Sequence, residues 1–168
     1  MEKRENIEIM APVGNFESLQ AAIKAGAGAV YFGVQGLNMR NLGAKNFTIK
    51  DLKKIVKICK EKRVKTYLTV NTILYDQDMK LMKKIINAAK SEKLAAIIAS
   101  DMAAIQYANS IGVETHISTQ LNVSNLGAVK FYSKFADVIV LARELTLAQI
   151  KNICDEIKKQ RIKGPNGK

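Results

Sequence analysis

Six short β-rich runs, each followed by a stretch of helical periodicity, limit most tightly what this chain can fold into. The runs are IEIMAP (7–12), AVYFGV (29–34), KTYLTVN (65–71), LAAIIAS (94–100), ETHISTQ (114–120) and ADVIVLARE (136–144). Helices are predicted over 16–26, 48–63, 77–92, 101–111, 124–134 and 146–160. Leu52, Ile55, Val56 and Cys59 fall on one helical stripe, as do Ile150, Ile153, Cys154 and Ile157, so each helix is expected to lay one face on a sheet. Strands separated by helices pair in parallel through right-handed crossovers.

Two α/β architectures accept this pattern, the open doubly wound sheet and the closed barrel of eight strand-helix units. Alternation within the runs separates them. Val113, Thr115 and Ile117 share one strand face while His116, Ser118 and Gln120 share the other, and Leu68 and Val70 oppose Tyr67, Thr69 and Asn71. An open sheet covered on both sides wants two apolar faces, whereas one persistently polar face fits the inside of a barrel. The fold class read from the sequence is therefore a partial TIM-type barrel of six consecutive βα units, one domain over residues 1–168. Units of about 26 residues would need about 210 for eight. The expectation is a fragment of a longer protein, or a homodimer that covers the open barrel edges. The alternatives are a small open α/β domain holding phosphate at GNFES and RNLG, and an oligomeric structural protein.

Composition narrows the function classes. With 48% hydrophobic residues in 168, a single core is within reach. No apolar run approaches the roughly 18 residues that span a bilayer, and MEKRENIEIM lacks the apolar block of a signal peptide, so a cytoplasmic location without a membrane partner is expected. A formal charge of +12 favours a polyanionic partner. Most lysines, however, lie in amphipathic segments such as KDLKKIVKICKEKR, where a solvated helix face accounts for them. Cys59 and Cys154 sit among apolar residues and are expected to be buried hydrophobes, neither nucleophile nor metal ligand.

The segment THISTQLNVSN (115–125) holds the only histidine. One histidine without a C-x-x-C pair cannot build a zinc site, and no G-x-S-x-G elbow presents Ser118 as a nucleophile. His116, Ser118, Gln120 and Asn122 read better as a polar lining that orients a small polar substrate, with a satisfied polar layer nearly as good an account. The polar loop QGLNMRNLGAKNFT would place Asn38, Arg40 and Asn46 over a barrel mouth, with Arg40 suited to an anion; a solvent loop with Thr48 as helix cap accounts for it equally well. Asn71, Ser100, Asp101, Arg143 and Glu144 reach the same rim, Arg143 as an anion partner and Glu144 as a base, unless the last two pair with each other. Asn15 or Ser18 caps a helix, and Gly26 and Gly28 end it.

The blocks IEIMAPVGNFESLQAAIKAGAGAVYFG, LNMRNLGAKNF, YLTVNT, STQLNVSN and VLARELTL, in this order and spacing, resemble peptidase family U32, the collagenase-like peptidases. They cover almost all of residues 7–150. Val13 stands where that family often has alanine, and the acidic residue, Phe-containing strand and cysteine signature that follow a GPNGK-like turn in the family are not in this chain. The resemblance implies a parent that is a protease by family name, or one similar to the members that hydroxylate transfer RNA, ribosomal RNA or ubiquinone precursors, several with an iron–sulfur cluster. Such a cluster takes about four thiolates. The chain is thus expected to carry no cofactor itself, an iron–sulfur centre belonging to the full-length parent. Between the two, the missing protease machinery and the basic surface favour RNA hydroxylation over peptide cleavage. His116, Arg143 and Glu144 are the catalytic candidates; Asn38, Arg40, Asn71, Ser118, Gln120 and Asn122 are the substrate-binding ones. The chain alone is expected to be inactive, with RNA or a peptide as the parent's substrate.

Overall fold

The structure, a computed structural model, describes residues 7–34, 36–37 and 47–167. Strands β1 (Met10–Pro12), β2 (Ala29–Gly33), β3 (Lys65–Val70), β4 (Ala96–Ala99), β5 (Thr115–Ile117) and β6 (Val138–Ile139) alternate with helices α1 (Phe16–Lys24), α2 (Leu52–Glu61), α3 (Met79–Ser91), α4 (Met102–Ser110), α5 (Leu126–Tyr132) and α6 (Leu147–Gln160). All strands pair in parallel, in the order β1-β2-β3-β4-β5-β6. A doubly wound sheet reverses at a switch point; this one never does, and it curls into a half-barrel.

The two faces of the sheet have different neighbours. Val30, Phe32, Leu68, Val70, Ile97, Ala99 and Ile117 join the helices in the main core, together with Leu19, Leu52, Ile55, Ile85 and Ile105. On the inner face Ala29, Tyr67, Ala96 and Ile98 form a second, smaller cluster with Tyr31 against it. The predicted opposition of Leu68 and Val70 to Tyr67 and Thr69 is present. The inner face is less polar than the alternation implied, because β4 contributes Ala96 and Ile98 to it. Register sets Gly33, Thr69, Ile98, His116 and Val138 side by side across five strands.

One device closes five of the six helices, and after four of them it leads into the next strand. After α1, α2, α3, α4 and α6 comes a residue with positive φ, namely Gly26 (86°), Arg63 (57°), Lys93 (58°), Gly112 (72°) and Arg161 (52°). The next residue is apolar, and its N–H donates to a carbonyl five residues back: Ala27 to Ala22, Val64 to Cys59, Leu94 to Ala89, Val113 to Ala108 and Ile162 to Ile157, at 2.9 to 3.1 Å. This is the Schellman closure, in which glycine is the usual left-handed residue. A left-handed residue with a Cβ costs roughly 1–2 kcal/mol, which Arg63, Lys93 and Arg161 incur and Gly26 and Gly112 avoid. The helix starts are capped as well. Ser18 N–H donates to Asn15 Oδ1 at 2.8 Å while Ser18 Oγ accepts from Asn15 N–H at 3.2 Å, so both candidate caps of α1 act together.

Three expectations need correction. Cys154 is exposed, because it lies about 100° around α6 from buried Ile153. β5 stops at Ile117: the Ser118 hydroxyl accepts the Gln120 N–H and starts a 3-10 turn over Thr119–Leu121, so Ser118 and Gln120 are not strand residues. With its neighbour gone, β6 shortens to two residues instead of the nine of run 136–144.

Ile55, fully buried between α2 and the sheet, tests the packing. Ile55→Ala is expected to lower stability by about 2–5 kcal/mol in denaturant unfolding. A change under about 0.5 kcal/mol would mean that α2 does not pack there as described.

Candidate functional site

Polar groups gather at two levels of the half-barrel. The lower level lies inside, near the strand N-termini. Tyr67, on the inner face of β3, donates its hydroxyl to the Glu8 carboxylate at 3.2 and 3.3 Å, and Lys65 Nζ reaches Glu8 Oε2 at 3.0 Å. The His116 ring lies 4.8 Å from the Tyr67 ring, and its Nε2 is 3.3 Å from Glu114 Oε1. Burial first, then the carboxylates of Glu8 and Glu114, push the Tyr67 phenol well above its ordinary pKa. The phenol is thus a fixed hydrogen-bond donor rather than an acid.

The upper level is the rim formed by the strand C-terminal ends. Asn71 follows β3 and is half-buried, with no hydrogen bond to a described residue. Asp101 caps α4 by accepting the Ala103 N–H at 2.7 Å. Ser118 is buried; its Oγ donates to Gln120 Oε1 at 3.5 Å and accepts the Gln120 N–H at 3.4 Å. Asn122, at φ 49°, is exposed just beyond the turn. Arg143 and Glu144 form an exposed turn after β6 and, among the described residues, do not pair with each other.

His116 therefore belongs to the interior level, while Asn71, Ser118, Gln120, Asn122, Arg143 and Glu144 stand at the rim. No hydrogen bond joins His116 to Ser118, whose hydroxyl is engaged by its own turn. Asn38, Arg40 and Asn46 lie outside the described residues. Thr48 does cap the next helical turn, its N–H and hydroxyl both donating to Asp51 Oδ2 at 2.7 Å. Those two bonds hold the Asp51 carboxyl below its ordinary range. Sequence reasoning missed Glu8 and Glu114. The signal was present, since each lies two residues before an inner-face position, Met10 and His116, and so shares its side of the strand. Among the described residues no group of three His, Cys, Asp or Glu is placed to hold a metal, and no helix is long and apolar enough to cross a membrane.

A half-barrel of sequentially paired parallel strands, polar inside and at its C-terminal rim, is the class of scaffold on which TIM-type enzymes place their sites. The profile of peptidase family U32 matches residues 14–163, and the chain belongs to that family. It is 60% identical to a collagenase of Porphyromonas gingivalis over 96% of its own length and 39% of that protein's. It is 33% identical to tRNA hydroxylation protein P1 of Bacillus subtilis over 89% of its length and 36% of the other's. A solved U32 peptidase superposes with a TM-score of 0.66 at 10% identity, covering 84% of this chain and 61% of that one, which shows the shared fold. The chain thus spans well under half the length of these two curated relatives.

The cysteines separate cleanly in reactivity. Burial pushes the Cys59 thiol up to about 11 from 9.0, so the folded state keeps a proton that the unfolded chain releases. Its stability contribution is present below pH 9 and is lost as pH rises toward 11. A disulfide reagent at neutral pH is expected to label Cys154 at once and Cys59 only on unfolding; two equally fast thiols would contradict the burial of Cys59.

Proposed function

We propose that this chain is the substrate-orienting portion of the catalytic barrel of an RNA-hydroxylating U32 enzyme. The observation that carries this reading is the engagement of Ser118 by its own turn. The hydroxyl that proteolysis would need next to the lone histidine is occupied by Gln120 and not bonded to His116. Likeness to a tRNA hydroxylation protein supports it, and the +12 charge agrees with a polyanionic substrate. The exposed rim residues Arg143 and Asn122, with half-buried Asn71, suit hydrogen bonding to a phosphate or a base edge.

Proteolysis is the second reading, favoured by the 60% identity to a collagenase. In either case we place the rest of the barrel elsewhere in the whole protein. Ile9 (64% exposed) and Met10 at the β1 edge, with Val138 and Val140 at the β6 edge, suit burial under further strands or a second copy. The rim then needs chemistry from outside this chain. Cys59 and Cys154 fall short of the thiolates an iron–sulfur cluster takes, so such a centre would be held by other residues of the parent.

Mass spectrometry of nucleosides from cells lacking the full-length protein decides between the readings. Loss of a hydroxylated pyrimidine is expected, with the 168-residue chain alone unable to restore it. Unchanged nucleosides together with gelatin cleavage by the purified full-length protein would reverse the order. Arg143→Ala in the full-length protein is expected to reduce modification by about tenfold or more with the unfolding midpoint unchanged, the loss typical of one charge-assisted contact.

A further inference from the structure

A second charged surface lies away from the rim, at the opposite end of the strands. The end of α2, the start of β3 and the turn before β4 enclose an open cleft of about 250 Å³, lined by Lys60, Arg63, Lys65 and Lys93 over a floor that includes Val56 and Ala95. The two segments that form it, KEKRVK (60–65) and KSEKLA (90–95), carry six cations against two carboxylates. Lys65 is held by Glu8 at 3.0 Å, while the side chains of Lys60, Arg63 and Lys93 have no hydrogen bond or ion pair with any described residue.

An independent observation concerns the backbone. Arg63 and Lys93 are two of the left-handed residues that close the helices, where Gly26 and Gly112 do the same work without a Cβ. A cation at a helix C-terminus gains something from the dipole, but both residues could serve that end from the preceding turn, where Lys60 and Lys90 already stand. The left-handed position aims a long side chain away from the helix axis and into the cleft. Arg161 holds the same position outside the cleft, so what marks Arg63 and Lys93 is that both line one concavity.

We infer that this cleft binds the phosphate backbone of an RNA. Its lining contains no aromatic ring on which a base could stack, so contact is with phosphate and sugar and does not depend on sequence. Lys60, Arg63 and Lys93, beside a Lys65 shared with Glu8, bring more positive charge to one concavity than a single small anion neutralises, which suits a polyanion. Engagement here would hold a folded RNA along the flank of the barrel while a distant nucleotide reaches the rim. The inference rests on the RNA reading of the rim for its choice of polyanion.

Fluorescence anisotropy with a labelled, unmodified transfer-RNA transcript tests it. In the double variant Arg63→Gly/Lys93→Gly, the dissociation constant is expected to rise roughly tenfold near 0.1 M salt, and the log–log salt slope to shrink by about 1.4 to 1.8. The melting temperature is expected to stay or rise, since glycine suits the left-handed position. Arg63→Asn/Lys93→Asn, which also tolerates that conformation, should repeat the loss of binding if the glycine variant unfolds. The exposed helix-face pair Lys84→Gln/Lys158→Gln removes the same charge elsewhere; an equal loss there would reduce the effect to bulk charge and overturn the cleft. Unchanged transcript binding would overturn it too, as would binding to phosphatidylserine vesicles in place of RNA. Hydroxylated nucleosides with an unchanged slope would sink the cleft alone. A lost slope without hydroxylation would sink the rim reading alone.

Discussion

The hydrogen bond from the apolar residue after each left-handed turn back into its helix is the constraint on which the half-barrel depends. It fixes where the helix stops, reverses the chain toward the sheet and seats an apolar side chain below the helix in one step. The residues that follow then pair with the neighbouring strand: Gly28 N–H donates to Ile9, Lys65 to Gly28 and Ala95 to Thr66. Parallel strands cannot be joined by a hairpin, so register must come from the crossovers. The same closure after α1, α2, α3 and α4 feeds β2 to β5 into the sheet in one manner; β6 joins the same order after α5 without it.

That repetition was only partly legible in the sequence. The alternation of β-rich runs with 3.6-residue stripes located every strand and helix, because burial on one side of a helix leaves a periodic trace. The left-handed positions carry a glycine signal at Gly26 and Gly112, of which the sequence reading used Gly26. Arg63, Lys93 and Arg161 occupy the same conformation with side chains that carry no local signal for it. Cys154 shows the converse failure. Ile150, Ile153, Cys154 and Ile157 fit one helical stripe in the sequence, yet the helix rotates Cys154 into solvent.

The C-terminal rim was harder to read because short polar side chains compete with the sheet for backbone partners. A strand pattern extends through ETHISTQ, but Ser118 offers its own hydroxyl to the Gln120 amide and converts the end of the strand into a 3-10 turn. Its consequences spread. β6 ends at Ile139 after one more bond, from Val140 N–H to Ile117, and the chain then turns so that Ala142 stays buried while Arg143 and Glu144 stand exposed beside it. A one-residue preference therefore sets how far the rim opens. At the other end of the sheet, Asp137 accepts both the backbone and the side-chain N–H of Asn166, at 2.9 and 2.6 Å, and Gly164 packs where a Cβ would meet the Asp137 backbone at 2.5 Å. The segment after α6 is thereby led to the start of β6, as the earlier crossovers lead to their strands.

The interior layer explains why the lone histidine sits one level below the rim. A bare inner face of Ala29, Ala96 and Ile98 is too thin to fill the concave side of the sheet, and the Tyr67 ring fills it only if its hydroxyl finds a partner. Glu8 is that partner, half-exposed at the strand N-termini, and Lys65 offsets its charge. His116 completes the layer by lying against Tyr67 while its nitrogen faces Glu114. The exposed Glu8–Lys65 pair is worth at most about 1 kcal/mol, so the contribution of this layer lies in orientation and not in attraction. Burial, and after it the two carboxylates on the same side, hold the phenol protonated. The rim thus stands over a floor whose Tyr67 donor is already fixed, the condition under which a polar lining can select for geometry and not only for charge.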